Sequence, residues 1–443
     1  MIEQIYKYDH ASELRPTLQG QALALASDQN VPTTPVFLKA RALYPNITAK
    51  SLRAVSEIVG SRFYVPPSML AKILREADPV ATVGADAVRF EGFSACCSAY
   101  IRLDLDNSAL EAQARSKGTT NVDFGPELRG ALSSVARDTE MEISIGSNSV
   151  EVVTDGKAYF EKKVPLPLRW VKGFAEVQVA MAGMCPAFSL PKIAAQRFLR
   201  GLPRGKNDQR IWVGANGPMA RVTAREAPGA VPLRGCHRLR VFEPLAALAD
   251  SLDVQFNPAT GATSWALNFG TQRVWLVLNA EPWRGFSGDG GLLSRMANSD
   301  DTGLAAVTAQ LSWQDSIDAE AISKTTDLSI EVVDVALAKL AAGGRLGFDL
   351  AQRAYFHRNL PFDMSKTEGL NPRLKSAKKL VDAGAVRWSD DVADVSSDDV
   401  IHKVELVEND WRCTCPWFAK NGNQRGPCKH ILAAEMEMNR QND

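Results

Sequence analysis

The chain has 443 residues, 45% of them hydrophobic and 23% charged, with 51 basic side chains balancing 51 acidic ones. That length predicts about three domains with sizeable cores, and zero net charge excludes a whole-molecule field that would draw the chain to polyanions or membranes. Met1-Ile2-Glu3-Gln4 lacks the basic start of a signal peptide, and the longest apolar run, Val179 to Leu190, is broken by Gly183 and Pro186; a soluble, cytoplasmic protein is expected.

In chain order, Pro35 to about Ala77 reads as helical, with Leu38, Leu43, Leu52, Val55, Ile58 and Val59 at helical separations and Pro66-Pro67 opening another helix. The texture changes from Val88. Tyr100-Ile101-Arg102-Leu103-Asp104-Leu105-Asp106 alternates strictly, which predicts a half-buried strand with Ile101, Leu103 and Leu105 inward. A helix over Pro126 to Val135 precedes strands at Glu142 to Val153 and Lys157 to Lys163, which turn at Thr154-Asp155-Gly156. Further on come a helix around Ile193 to Leu199 and strands at Arg210-Ile211-Trp212-Val213 and Arg238-Leu239-Arg240-Val241. A hairpin of Trp265 to Phe269 and Arg273 to Leu278 then turns at Gly270-Thr271.

From Leu311 to Phe362 the order is helix (Asp318 to Lys324), helix (Ser329 to Ala341) and two strands (Arg345 to Phe348, Ala354 to His357), a winged-helix outline with Ser329 as N-cap and Gly343-Gly344 as stop. A Lys-rich helix follows Pro372, and Ser389 to Asp399 reads as an acidic linker. The expected fold class is therefore α+β and multidomain. Its plan is a helical region over 1–80, α+β domains over 81–188 and 189–305, a winged-helix-like module over 311–363, a basic helix and acidic linker over 364–397, and a metal-binding tail over 398–441.

That tail carries the sharpest chemical signal. Cys413-Thr-Cys415 and Cys428-Lys-His430 gather three of seven cysteines and one of five histidines into two close pairs, as a tetrahedral Zn²⁺ site requires. The first pair follows the alternating Val404-Glu405-Leu406-Val407 and a Glu408-Asn409-Asp410 turn, predicting a hairpin. The second follows Gly426-Pro427 and opens Ile431 to Met436, predicting a helix. With four protein ligands and no open position, one structural zinc is expected, and thiolates held in such a site favour a reducing compartment. Cys96, Cys97, Cys185 and Cys236 show no framework, and Cys96-Cys97 reads as strand core.

Trp411-Arg412-Cys413-Thr414-Cys415-Pro416-Trp417 and Arg425-Gly426-Pro427-Cys428-Lys429-His430 resemble the SWIM zinc finger. Arg62 to Pro67, Gly118 to Asp123, Lys163 to Pro167 and Trp283 to Gly288 look like segments of bacterial SWIM zinc finger proteins of similar length. The resemblance implies that Cys413, Cys415, Cys428 and His430 are the ligands, that the finger binds DNA or protein without catalysing a reaction, and that an AAA-type ATPase and a von Willebrand A protein are partners.

Other candidate sites are weighed by charge. Lys192 to Arg240 holds eleven basic residues against Asp208 and Glu226. Arg197, Arg200, Arg204, Lys206, Arg210, Arg234, Arg238 and Arg240 either form a nucleic-acid or acidic-partner surface or scatter over several faces and pair internally. The winged-helix-like module carries more acid than base, with Glu331 and Asp334 on its would-be reading helix, which favours protein docking or scaffolding over DNA. Trp411, Pro416, Trp417 and Phe418 either cap the metal or face a partner. Gly285-Phe286-Ser287-Gly288-Asp289-Gly290-Gly291 fits neither phosphate-loop pattern and reads as a structural turn. Asp104 and Asp106 lack a third ligand for Mg²⁺ and read as a solvent face, and His357 and His402 read as strand residues. The reading overall is a non-enzymatic zinc-binding adaptor for protein or nucleic acid, with a nucleotide-dependent enzyme built on Gly285 to Gly291 as the alternative.

Overall fold

The computed structural model describes residues 13–17, 20–24, 36–62, 79–121, 124–147, 149–162, 168–283, 285–286, 290, 303–360, 372–408 and 410–442. The segment Phe63 to Pro67, the helix expected after Pro66-Pro67, and the segment Lys163 to Pro167 lie outside them.

The body is built on two antiparallel sheets that share one core. The larger runs in the order β12 (Cys185–Pro191), β16 (Ser251–Phe256), β17 (Thr263–Asn268), β18 (Gln272–Leu278), β6 (Ala99–Asp106), β5 (Ala87–Phe93), β4 (Val80–Val83), β8 (Gly118–Asn121). The smaller runs β11 (Lys157–Lys162), β10 (Ser149–Thr154), β9 (Met141–Gly146), β3 (Val36–Ala42), β7 (Leu110–Arg115). Because β18 pairs with β6, with Val274 opposite Leu103, the boundary expected at 188/189 is crossed by the central sheet. Residues on both sides of it lie in the same hydrophobic cluster.

Val36–Ala42 is a strand, where the sequence predicted helix. Leu38, Ala40 and Ala42 are buried at a period of two while Lys39 and Arg41 face out, and two turns of helical spacing mimic this over so short a run. A hairpin of β1 (Glu13–Thr17) and β2 (Gly20–Ala24) lies further upstream, so the expected helical region over 1–80 contains strands. The one long helix described there is α1 (Pro45–Gly60), started by proline in its first turn.

Strand β6 also differs from expectation, being buried along all but its last residue. Its Ile101, Leu103 and Leu105 face lies on the side of α1, which packs along β5 and β6. The opposite face, with Tyr100, Arg102 and Asp104, is covered by α3 (Leu168–Ala182) and by a module of α5 (Leu304–Ala309), α6 (Ala319–Thr326), α7 (Ile330–Ala342), β19 (Leu346–Asp349) and β20 (Ala354–His357). Asp318 and Ser329 cap α6 and α7 by accepting from Ala321 N and Val332 N.

The seam is ionic. Arg102 grips Asp104 at 2.8 and 2.9 Å and reaches Asp349 at 3.5 Å; Arg89 pairs with Asp315, and Arg358 pairs with Glu91 where neither side chain reaches solvent. The Phe356 ring lies under Arg89, 4.0 Å from its centroid. Asp104 is therefore an ion-pair partner that also accepts from Trp275 Nε1 at 2.9 Å, and the expected solvent face exists only at Asp106.

The rest of the body is α2 (Pro126–Ser134), α4 (Lys192–Gly201) and a small sheet ordered β14 (Met219–Thr223), β13 (Arg210–Asn216), β15 (Val231–Arg234). Arg238 to Val241, expected as a strand, belongs to a 3-10 helix over Cys236–Phe242 that starts after the left-handed Gly235. Cys96 and Cys97, expected in strand core, sit in the turn between β5 and β6, with Cys97 at φ +53°.

Near the carboxyl end, α8 (Pro372–Asp382), a sheet ordered β21 (Val386–Ser389), β22 (Val392–Ser397), β23 (Val400–Val407), β24 (Asp410–Cys413), and helices α9 (Pro416–Asn421) and α10 (Lys429–Asn442) share a separate core. The acidic stretch expected as a linker is thus mostly strand β22 and its turns. Val395 and Ala393 point into the core, while Asp390, Asp398 and Asp399 take left-handed turn conformations that Asp tolerates.

Candidate metal centre

The β23–β24 hairpin sets Cys413 opposite Val404. Thr414 then locks the chain to β23 by a reciprocal pair: its backbone N–H donates to Lys403 O at 3.1 Å and its Oγ1 accepts from Lys403 N at 3.0 Å. This fixes the direction in which Cys415 leaves the strand. Cys415 is the N-cap of α9, its Sγ accepting from Phe418 N at 3.4 Å, and Cys428 Sγ accepts from Ile431 N at 3.4 Å in the entry to α10. Both sulfurs therefore sit at helix starts, where N–H groups favour a thiolate.

His430, one residue into α10, brings Nδ1 to 3.8 Å from Cys413 Sγ, and its ring lies 4.1 Å from that of His402 on β23. The four donor atoms of Cys413, Cys415, Cys428 and His430 lie within 4.8 Å of one another, and all four residues are buried. A tetrahedron with metal–sulfur bonds of about 2.3 Å has edges of about 3.8 Å, so the donor set fits a zinc ion.

The protonation balance points the same way. Hydrogen bonds from Cys413 and Cys428 pull the Cys415 thiol far below its ordinary value. The contact with Cys415 pushes Cys413 up to about 11, and contacts with Cys413 and Cys415 push Cys428 well up. Three buried sulfurs in contact cannot all ionise against one another; a divalent cation is what lets them. Every position is filled by protein, so the ion's chemistry is to hold the fold.

Arg373 of α8 was not legible as part of this unit. Its Nη1 donates to Arg425 O at 2.8 Å and Pro427 O at 2.9 Å, and its guanidinium stands 4.9 Å from the Trp417 ring centroid. It thereby fixes the knuckle between the two ligand pairs, from a distance in sequence that no spacing rule reaches. Trp411, Trp417 and Phe418 are half-buried against the same core. Gly426, at φ +70°, lies against Gly290; a β-carbon there would meet Gly290 O at 2.0 Å.

The basic segment divides. Arg210 and Arg234 share Glu281 at 3.2 and 3.1 Å. Arg238 is buried and donates to Ser98 Oγ at 2.5 Å, and Arg240 donates to Leu202 O and pairs with Glu243. These four have partners within the protein. Arg197, Arg200, Arg204 and Lys206 are exposed on α4 and the loop after it. His357 accepts from Trp313 N on Nδ1. Of the expected nucleotide loop, residues 287–289 and 291 lie outside the described residues.

The geometry defines a class: a closed Cys₃His zinc site clamping a hairpin to a helix. Residues 394–439 match the family model of the SWIM zinc finger, and this part of the chain is a SWIM zinc finger holding one structural zinc ion. No curated protein matches the chain. Among solved structures, it is similar to a chain of the PCNA2-PCNA3 complex from Sulfolobus tokodaii, with 10% identity and a TM-score of 0.39 over 55% of this chain and 100% of that one. It is also similar to Proliferating Cellular Nuclear Antigen from Entamoeba histolytica, with 10% identity and a TM-score of 0.37 over 55% of this chain and 99% of that one. Neither likeness carries an argument about function. No helix among the described residues is long and apolar enough to cross a membrane.

Proposed function

We propose that the chain is a non-catalytic binding protein of the cytoplasm, in which a zinc-stapled tail and an α+β body together engage a protein partner. The closed donor set carries this reading: four buried protein ligands leave the ion no position for water or substrate. Two further observations support binding over nucleotide chemistry. Gly285 has a packing reason for lacking a side chain, since a β-carbon there would meet Cys96 O at 2.4 Å, and Gly290 has another in Arg373. These two glycines therefore have a packing role, which supports reading them as part of a structural connector.

In the module of α5, α6, α7, β19 and β20, expected as a winged helix, the hairpin is turned inward: Asp349 and Phe356 meet Arg89 and Arg102 of the central sheet. The exposed face of α7 presents Glu331 and Asp334. Both facts favour scaffolding or protein docking over duplex reading, where phosphate neutralisation supplies most of the affinity. An assembly with an AAA-type ATPase and a von Willebrand A protein is the specific complex to seek.

Co-purification of the full chain and of a Cys428→Ser variant tests the reading. A protein partner retained in stoichiometric amount by the zinc-loaded chain and lost by the variant is the expected result. Nucleotide binding by the pure protein, abolished by Gly288→Val, would overturn it in favour of the enzyme.

A further inference from the structure

The body carries a groove that the zinc chemistry does not use. It opens between α4 and β14, with a volume of about 480 Å³ and a lining that includes Ala194, Phe198, Leu202, Ile211, Met219 and Val222, a size typical of sites that take a ligand. Its apolar character extends to the surface, where Val222 is 50% exposed and Ile193, on the neighbouring turn of α4, is 57% exposed. The rim is basic. Arg197 lines the groove and Arg200 lies on the next exposed position of α4.

We propose that this groove docks a short acidic segment of a partner protein, with apolar side chains on its floor and carboxylates on Arg197 in its lining and Arg200 beside it on α4. The proposal rests on reading the chain as a binding protein, and names a second site and its ligand chemistry. Charge complementarity requires an anionic ligand, and the floor decides which kind. Single-stranded nucleic acid needs exposed aromatic faces for its bases and a continuous cationic track for its backbone. Here the aromatic ring in the lining, Phe198, is stacked on Trp265 at 5.6 Å, and the track ends where Arg210, Arg234, Arg238 and Arg240 turn to Glu281, Ser98 and Glu243. An aliphatic floor beside a cationic rim suits Leu or Met flanked by Asp and Glu.

The test uses the full-length, zinc-loaded chain and a library of short fluorescent peptides with random apolar cores and Asp/Glu flanks. Matched libraries with Lys flanks or serine cores, and a single-stranded DNA and an RNA oligonucleotide, serve as comparisons. Peptides from the acidic, apolar library should bind in a salt-sensitive manner. Affinity should fall by about tenfold in an Arg197→Ala/Arg200→Ala variant and by a similar factor, independent of salt, in Gly201→Trp. Gly201 lines the groove, and a β-carbon added there meets nothing within 4 Å, so that variant fills the site without threatening the fold. Selection of no acidic, apolar peptide overturns the proposal, as does equal binding of the Lys-flanked or serine-core peptides. Preference for an oligonucleotide, with Gly201→Trp inert, overturns it in favour of a nucleic-acid surface. Cys428→Ser should leave peptide affinity unchanged, so failure of the tail as a partner element and failure of the groove give different results.

Discussion

Thr414 is the residue that turns two nearby cysteines into half of a metal site, because both of its short hydrogen bonds run to Lys403 and leave the flanking sulfurs no freedom to diverge. The ligands themselves could be read from the sequence, since zinc dictates donor type and close pairing. Arg373 could not, because its acceptors are backbone carbonyls of Arg425 and Pro427 and any residue type offers a carbonyl. Two predictions belong at this scale. Cys428→Ser should take bound zinc, measured by elemental analysis, from one per chain to none; structural zinc contributes roughly 10–16 kcal/mol of apparent binding free energy, so limited proteolysis should then attack the tail first. Arg373→Ala, which removes two charge-assisted hydrogen bonds and the contact with Trp417, should destabilise the tail by about 2–3 kcal/mol and speed zinc transfer to a chelator, with Arg373→Lys restoring little.

Among elements, β6 shows where periodicity stops being informative. Strict alternation identified the strand and its apolar face, but it cannot say whether the other face meets water or protein. Here Arg102 and Asp104 look solvent-bound in sequence and are sealed under the module of α5 to β20. The inward face of Val36–Ala42 was missed for a related reason, a run too short to separate the two periods.

The seam makes its own predictions. Arg358→Met leaves Glu91 buried without its cation, still accepting from Tyr100 OH at 2.6 Å; breaking such a pair costs about 3–5 kcal/mol, to be read as a lower denaturation midpoint. Burial alone would raise the Asp349 carboxyl, but Arg102 and Arg89, with the backbone N–H groups of Ala351 and Gln352, outweigh it and hold it below its ordinary value. A depressed folded-state pKa gives stability that is complete above the unfolded value and is lost as pH falls through the folded one. Thermal scans should therefore show the seam weakening below about pH 4, and Asp349→Asn, less stable at neutral pH, should lose that part of the acid dependence.

For the whole molecule, the α+β class was legible because hairpin turns and helix caps are local signals. The partition into domains was not. Pairing of β18 with β6 joins segments separated by more than a hundred residues, and nothing local marks it. The acid-rich stretch before the finger misled for the opposite reason: aspartates cluster there because its turns need left-handed residues, a composition that also describes linkers. Chelation of the full chain should melt the tail cooperatively while the body, with its separate core, keeps its circular dichroism and its denaturation midpoint.

Phe286 is buried in the body's core and Gly290 abuts Gly426 of the finger. Four residues of chain span at most about 14 Å, so while the Gly290–Gly426 contact holds, the knuckle of the finger stays close to the body's core. Swapping either glycine for alanine wedges that contact open, and small-angle scattering should then record a wider spread of distances between the two masses.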